Sequence, residues 1–356
     1  MEQKKIKIAI IGCGGIARGA HMRAYNEINR FEIVAACDIL PDRVREFAEA
    51  NGIPQYFTDY HDVLKLEGLD AVDICTPNYL HSIIAVDALN AGLNVICEKP
   101  DAINPAEAEK MKAAAEKNGK LLMVIRNNRF SDISFFLKHY IEAGKMGKIY
   151  AARCGWQRRR GIPGKGGWFT TKEQSGGGPL IDLGVHMIDL TMWLMGSPTP
   201  VAVSGCTYRE FAENRADSSA SQYGDVKANG TFDVEDLAMG FIRFDNGACL
   251  QIEFSWASNI ERENKFYELR GTRAGASWSF IDGVLHLFGE EDGIPVDITP
   301  QIKKKIPSGH AGNLANFADV LEGKAEPVFK PQQGVDMIKI LCAIYESARI
   351  GKEVLL

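Results

Sequence analysis

The chain has 356 residues, is 46% hydrophobic and 24% charged, and carries a formal charge of −5. That length suggests two domains, and the composition is that of an ordinary soluble protein with no basic excess to attract nucleic acid. No apolar stretch approaches the ~20 residues of a membrane helix.

The segment from Met1 to Lys7 is polar and runs straight into a strand, so no secretory signal is expected. Eight cysteines raise the question of disulfides or metal. Cys37, Cys75 and Cys97 lie in apolar, strand-like runs, where a thiol acts as a small buried hydrophobe. No Cys-x-x-Cys occurs, and the histidines show no ligand spacing, so the expectation is reduced cysteines, a cytoplasmic protein and no metal.

Along the first third, β-branched runs at 5–11, 32–37, 71–75, 94–97 and 121–125 alternate with helical stretches at 16–28, 42–51, 81–90 and 106–118. This alternation predicts a doubly wound parallel sheet of the Rossmann type. Pro41 and Pro105 stand where first-turn prolines are tolerated, and Gly52, Gly92 and Gly119 where helices stop. Beyond residue 126 the pattern changes. A helix at 133–143, a strand at 149–158, a glycine-rich stretch at 161–178 and a long helix at 179–195 come first. Alternating runs at 201–208, 237–244, 248–256, 266–270 and 276–281 then predict a mostly antiparallel sheet with helices on one side. Asp245-Asn246-Gly247 reads as a hairpin turn with positive φ at both Asn and Gly. Helices near 313–321 and 332–348 are expected to return to the first domain. The expected division is therefore 1–126, 127–330, and a C-terminal helix at 331–356 packing back.

Four segments, with Asp38 after the first, carry chemistry. Ile8-Ala9-Ile10-Ile11-Gly12-Cys13-Gly14-Gly15-Ile16-Ala17 joins a strand to a helix. There Gly12 permits a tight turn, Gly14 lets the backbone approach a diphosphate, Ala17 still lets the helix pack on the strand, and the helix N-terminus favours the charge, so Gly12, Gly14, Gly15 and Ile16 are cofactor-binding candidates. Asp38 follows the second strand, about 20 residues on, where a carboxylate binds the ribose hydroxyls of NAD and repels the 2′-phosphate of NADP. Arg43 stands close to it in sequence. Thr76-Pro77-Asn78-Tyr79-Leu80-His81 ends the next strand at the same sheet edge. Glu98-Lys99-Pro100 then ends the run Leu93-Asn94-Val95-Ile96-Cys97, an odd place for a merely solubilising lysine. A lysine there can polarise a substrate oxygen. In the second half Gly176-Gly177-Gly178 leads into a helix with Asp182, His186 and Asp189 on one face of an otherwise apolar segment. A carboxylate one turn from an imidazole can orient it and support its charge.

In this order the segments resemble the glucose-fructose oxidoreductase / inositol dehydrogenase / rhizopine catabolism (Gfo/Idh/MocA) family, over nearly the whole chain. The resemblance implies an NAD-dependent oxidoreductase acting on a secondary alcohol of a sugar, cyclitol or sugar derivative. It further implies Lys99, Asp182 and His186 as catalytic residues, Thr76, Asn78, His81, Glu98 and Lys99 along the nicotinamide ribose, and a cis Lys99-Pro100 bond. It also implies a homodimer or homotetramer assembled through the C-terminal sheet. A glycosidase that retains NAD, and a regulator that binds dinucleotide as a signal, are the alternatives the family admits. Arg126, Arg129, Arg160 and Trp168 are substrate-binding candidates, with Asn259 after them; His21 and His310 carry no assignment and read as packing or capping residues.

Overall fold

The computed structural model describes residues 5–212, 226–227, 229–303 and 306–356. Two compact units divide the chain: Met1–Phe130 with Pro307–Ile338, and Ser131–Ile306 with Lys339–Leu356.

The first unit begins with β1 (Ile6–Ile11), a π-helical turn at Ala17–His21 and α1 (Met22–Ile28), followed by β2 (Phe31–Cys37), α2 (Pro41–Asn51), β3 (Gln55–Phe57) and α3 (Tyr60–Val63). Then come β4 (Ala71–Ile74), α4 (Asn78–Asn90), β5 (Asn94–Cys97), α5 (Pro105–Asn118) and β6 (Leu122–Val124). All pairings are parallel, in the order β3-β2-β1-β4-β5-β6. The central strands are mostly apolar because both faces are covered; Ile8, Ala9 and Ile10 are wholly buried, as is Asp73 in β4. Pro41 and Pro105 occupy first turns, and the helices they open stop at Gly52 and Gly119 in left-handed conformation. Asn104 caps α5 by accepting the Glu107 N–H at 3.0 Å. Strand order reverses between β1 and β4, and dinucleotides bind in the crevice at such a switch point.

The second unit contains α6 (Asp132–Glu142), β7 (Ile149–Gln157), α7 (Lys172–Ser175), a second π-helical turn at Leu180–Gly184 and α8 (Val185–Leu194). Its strands continue as β8 (Pro200–Tyr208), β9 (Leu237–Phe244), β10 (Cys249–Ser255), β11 (Asn264–Gly271), β12 (Gly275–Ser279), β13 (Leu285–Glu291), β14 (Ile294–Ile298) and β15 (Val354–Leu355). They form one sheet, β14-β13-β12-β11-β7-β10-β9-β8-β15, antiparallel except where β7 meets β10. In β10, Leu250, Ile252 and Phe254 are buried on the face that meets the second π-helical turn, while Gln251 on the other face is exposed. The β9–β10 hairpin differs from the sequence expectation. Only Gly247 has positive φ, and its N–H donates to Phe244 O at 3.0 Å, which makes a three-residue loop with a glycine bulge.

The chain re-enters the first unit with α9 (His310–Leu321), whose Leu314 and Phe317 join Ile8, Ile10 and Phe47 in one core. The last helix, α10 (Pro331–Ile350), starts in the first unit and passes to the second after Ile338. The stretch 307–330, expected in the second domain, therefore belongs to the first unit, and most of 331–356 to the second. Residues that cover a sheet face look alike in sequence whichever sheet they cover.

Candidate active site

Gly12 has φ +99°, and a Cβ there would sit 2.6 Å from the backbone carbonyl of Cys75. The loops after β1 and β4 therefore touch, and only glycine fits between them. Gly14 and Gly15 differ: a Cβ on either meets nothing within 4 Å. Among the described residues nothing calls for glycine at these two, whereas a diphosphate lying on the N–H groups would. Asp38, at the end of β2, accepts the Cys13 N–H at 2.9 Å and the Leu40 N–H at 3.0 Å, and the Arg43 guanidinium lies 4.0 Å away. Ile39 and Leu40, which follow it in the chain, and Ile16, at the end of the glycine loop, are exposed apolar residues. The Thr76 hydroxyl is buried without a protein partner among the described residues. These features fit a dinucleotide.

Asn78 opens α4 and is buried. His81 is engaged by the protein itself, with Nδ1 2.7 Å from Pro100 O and Nε2 2.8 Å from Thr76 O. It ties the loops after β4 and β5 together, and burial holds its pKa below the usual imidazole value.

Lys99 follows β5, and the Lys99-Pro100 bond is cis. Within 95–102 it is the single residue that is not buried. Glu98 beside it accepts the Lys99 N–H at 3.0 Å through Oε2, while Oε1 meets His21 Nε2 at 2.9 Å and His310 Nε2 at 2.8 Å. On its far side His21 Nδ1 lies 2.7 Å from Asp73 Oδ2, which also accepts the Tyr25 hydroxyl at 2.8 Å. Burial alone would lower the His21 pKa, but the Asp73 carboxylate holds it well above 6.5. Burial would raise Glu98, yet hydrogen bonds from both imidazoles hold it well below 4.5. At neutral pH an imidazolium thus lies between two carboxylates, directly behind Lys99.

In the second unit Asp182 sits in the π-helical turn and His186 in the first turn of α8. Every other residue from Leu180 to Leu194 is buried; these two alone are partly exposed. Asp182 Oδ2 accepts the indole N–H of the buried Trp256 at 2.9 Å. Asp189, expected to extend this face, is buried. The glycine run has a cause in packing: a Cβ on Gly177 would collide with the Tyr345 hydroxyl, and one on Gly178 with the Glu235 carbonyl. Glu235, itself buried, accepts the Gly178 N–H at 2.9 Å, the Leu180 N–H at 3.1 Å and the Tyr345 hydroxyl at 2.8 Å. It holds the N-terminal end of the segment that carries Asp182 and His186.

Residues 6–126 match the family model described as "Oxidoreductase family, NAD-binding Rossmann fold", and residues 136–277 match that of the GFO/IDH/MocA C-terminal domain. The D-glucoside 3-dehydrogenase of Escherichia coli (strain K12) is 32% identical, over 99% of this chain and 98% of that protein. The scyllo-inositol 2-dehydrogenase (NAD(+)) of Bacillus subtilis (strain 168) is 25% identical, over 99% and 96%. A levoglucosan dehydrogenase solved with NADH and levoglucosan shares the fold, with TM-score 0.85 and 24% identity over 99% of each chain. This chain belongs to the Gfo/Idh/MocA family. It is an NAD-dependent oxidoreductase.

For this Gfo/Idh/MocA oxidoreductase, the structure changes the standing of the remaining candidates. Arg126 is not at an open surface: it is buried, paired with Asp101, and stacked 4.8 Å from the Phe329 ring. Arg129 is buried too, donating to Val328 O and Gln333. Both brace the first unit from within. A strand-end arginine looks the same in sequence whether its acid partner is protein or ligand. Arg160 donates to Ser258 O and to Asn259 Oδ1 at 2.9 Å, so it holds one loop to another. Trp168 stacks on Phe169 at 3.8 Å and stays partly exposed. His21, His310, Glu235 and Tyr345 are the positioning groups that sequence reading missed. Their partners are remote in sequence, and no short motif marks them.

Proposed function

We infer that the chain oxidises a secondary hydroxyl of a sugar, cyclitol or sugar glycoside, with His186 as acid–base group, Lys99 at the reacting oxygen and Asp182 steadying the imidazole. One observation carries this reading: Asp182 and His186 are the two partly exposed residues of a buried segment, and Lys99 is the one in its own. NAD, when bound, supplies the ring that takes or returns a hydride. The Lys99 ammonium would polarise the substrate oxygen and favour its deprotonated form. The hydroxyl proton would pass to the His186 imidazole, and the Asp182 carboxylate, fixed by Trp256, would support the charge that develops there. The dinucleotide itself would lie along Gly12, Gly14, Gly15 and Ile16, with Asp38 on the adenosine ribose, and with Thr76, Asn78 and Glu98 nearest the nicotinamide ribose. The ring hydroxyls named in the relatives' activities support the substrate class.

The test is a screen of glycosides, free sugars and inositols by absorbance of NADH, run beside an aryl glycoside assay. Reduction of NAD by at least one class is the expected result. Aglycone release with no net NADH would replace this reading by that of a glycosidase that retains its NAD. A cytoplasmic location fits eight cysteines that form no disulfide among the described residues. A homodimer or homotetramer through the second unit's sheet fits Phe241 and Phe266, half-buried on the face opposite α8 under Arg243 and Arg153. Light scattering should give at least twice the mass of one chain.

A further inference from the structure

Beside His186 the sheet carries a cluster to which neither the family signature nor the mechanism gives any role. The ring of Trp156, in β7, lies 6.0 Å from the His186 ring. Register places Lys265 of β11 directly opposite Trp156, and Tyr267 opposite Trp278 of β12. Lys265 and Tyr267 are two apart on one strand, so all four side chains share the face that bears α8. Lys265 Nζ lies 4.5 Å from the centre of the Trp156 ring and 6.0 Å from that of Trp278. The Arg158 guanidinium covers Trp156 at 5.0 Å. Tyr267 stacks with Trp278 at 5.8 Å.

Two features point to a ligand. The Tyr267 hydroxyl and the Trp278 indole N–H are buried with no hydrogen-bond partner among the described residues. Leaving such groups unpaired is costly, and native proteins do so rarely. The cluster is also rich in donors and cations. Its nearby acceptor, Glu263, already takes the Trp156 N–H at 2.7 Å and lies 3.8 Å from Arg158. Burial, helped by the Arg158 charge, pulls the Lys265 ammonium down to about 8, as two cations set close together on one face require.

We propose that Trp156, Arg158, Lys265, Tyr267 and Trp278 form a subsite for an anionic oxygen group, a carboxylate carried by the substrate sugar or by its aglycone. The indole faces would pack on the ring or aglycone, and the carboxylate oxygens would accept from Lys265, the Trp278 N–H and the Tyr267 hydroxyl. This deepens the function above and rests on His186 as the acid–base group.

Matched substrates test it with the full chain and NAD. D-glucuronate against D-glucose places the carboxylate on the reacting ring; 4-carboxyphenyl against phenyl β-D-glucoside places it on the aglycone. At least one pair should favour the acid by about tenfold in kcat/KM, and Lys265→Met should remove most of that preference. Trp278→Phe, which keeps a ring and loses the N–H, should reduce it by less. A preference absent from both pairs, or unchanged in Lys265→Met, overturns the subsite. Should Lys265→Met fail to fold, Arg158→Gln takes its place in the same comparison. Should no sugar reduce NAD, the oxidoreductase reading fails separately. Calorimetric titration of the NAD-loaded protein with the same four compounds then decides: tighter acid binding that Lys265→Met abolishes supports the subsite, and equal binding of acid and neutral partner refutes it.

Discussion

A polar side chain on the partly exposed spot of a buried segment has its surroundings fixed by packing while its tip stays open, and Lys99, Asp182 and His186 each hold such a spot. His186→Ala should lower kcat by ~10²–10⁴, the usual worth of a positioned acid–base group. Lys99→Ala should cost at least as much, since charge on the reacting oxygen is then uncompensated. NAD titration of His186→Ala should match wild type, and stopped-flow hydride transfer should carry the loss; near wild-type rates in both variants would remove the assignment. Asp38 supplies a second prediction. Its carboxylate is already held by two backbone N–H groups, so Asp38→Ala should loosen the glycine loop as well as narrow the preference for NAD over NADP. Titration with both cofactors measures the narrowing, and tighter NADP binding to wild type would contradict the role of Asp38. These residues were legible in sequence because each sits at a strand end or one helical turn from its partner. Arg126 was misread because nothing local distinguishes an internal ion pair with Asp101 from a waiting substrate contact.

At the scale of elements, His21 and Glu98 join the π-helical turn before α1 to β4, the end of β5 and the start of α9. Both titrate away from their unfolded values, in opposite senses. His21, raised, contributes stability that is whole below its unfolded pKa of ~6.5 and is lost as pH rises through its folded value. Glu98, lowered, contributes stability that is whole above ~4.3 and is lost as pH falls. The pair therefore stabilises most between about pH 4.5 and 6.5. Urea denaturation across pH should show the alkaline decline in wild type and a flatter one in His21→Asn; parallel curves would show that His21 is not charged. The anchor of the segment that carries Asp182 and His186 gives a simpler test. Gly178→Ala would drive a methyl group into the Glu235 carbonyl, at a cost of about 1–3 kcal/mol in the same assay. Of the elements themselves, long amphipathic helices and apolar strands were legible. The three-residue β3 and the outlying β13 and β14 were not, because short or exposed strands carry little apolar alternation.

For the molecule as a whole, cofactor and fold are thermodynamically linked. NAD at ~100 times its dissociation constant should add about 2.7 kcal/mol to unfolding, and NADP at the same concentration less. Thermal melts with each cofactor read the difference; equal shifts would mean the crevice does not distinguish them. The doubly wound sheet and the antiparallel sheet were both foreseeable from the change of pattern near residue 126; the passage of the last helix into the second unit was not, but the route of the chain back into the first unit through the helix near 313–321 was. That route matters for the gene. The first unit is not contiguous in the message: its core needs Leu314 and Phe317, encoded after residues 131–306 of the second unit. A stop codon after Phe130 would therefore release a chain with its core uncovered on the ribosome, and it should aggregate. A recombinant gene that splices the codons for 307–338 directly behind Phe130 should restore solubility. During synthesis the same order obliges the unit that starts first to wait, and a ribosome stalled before residue 310 holds two unfinished modules instead of one finished.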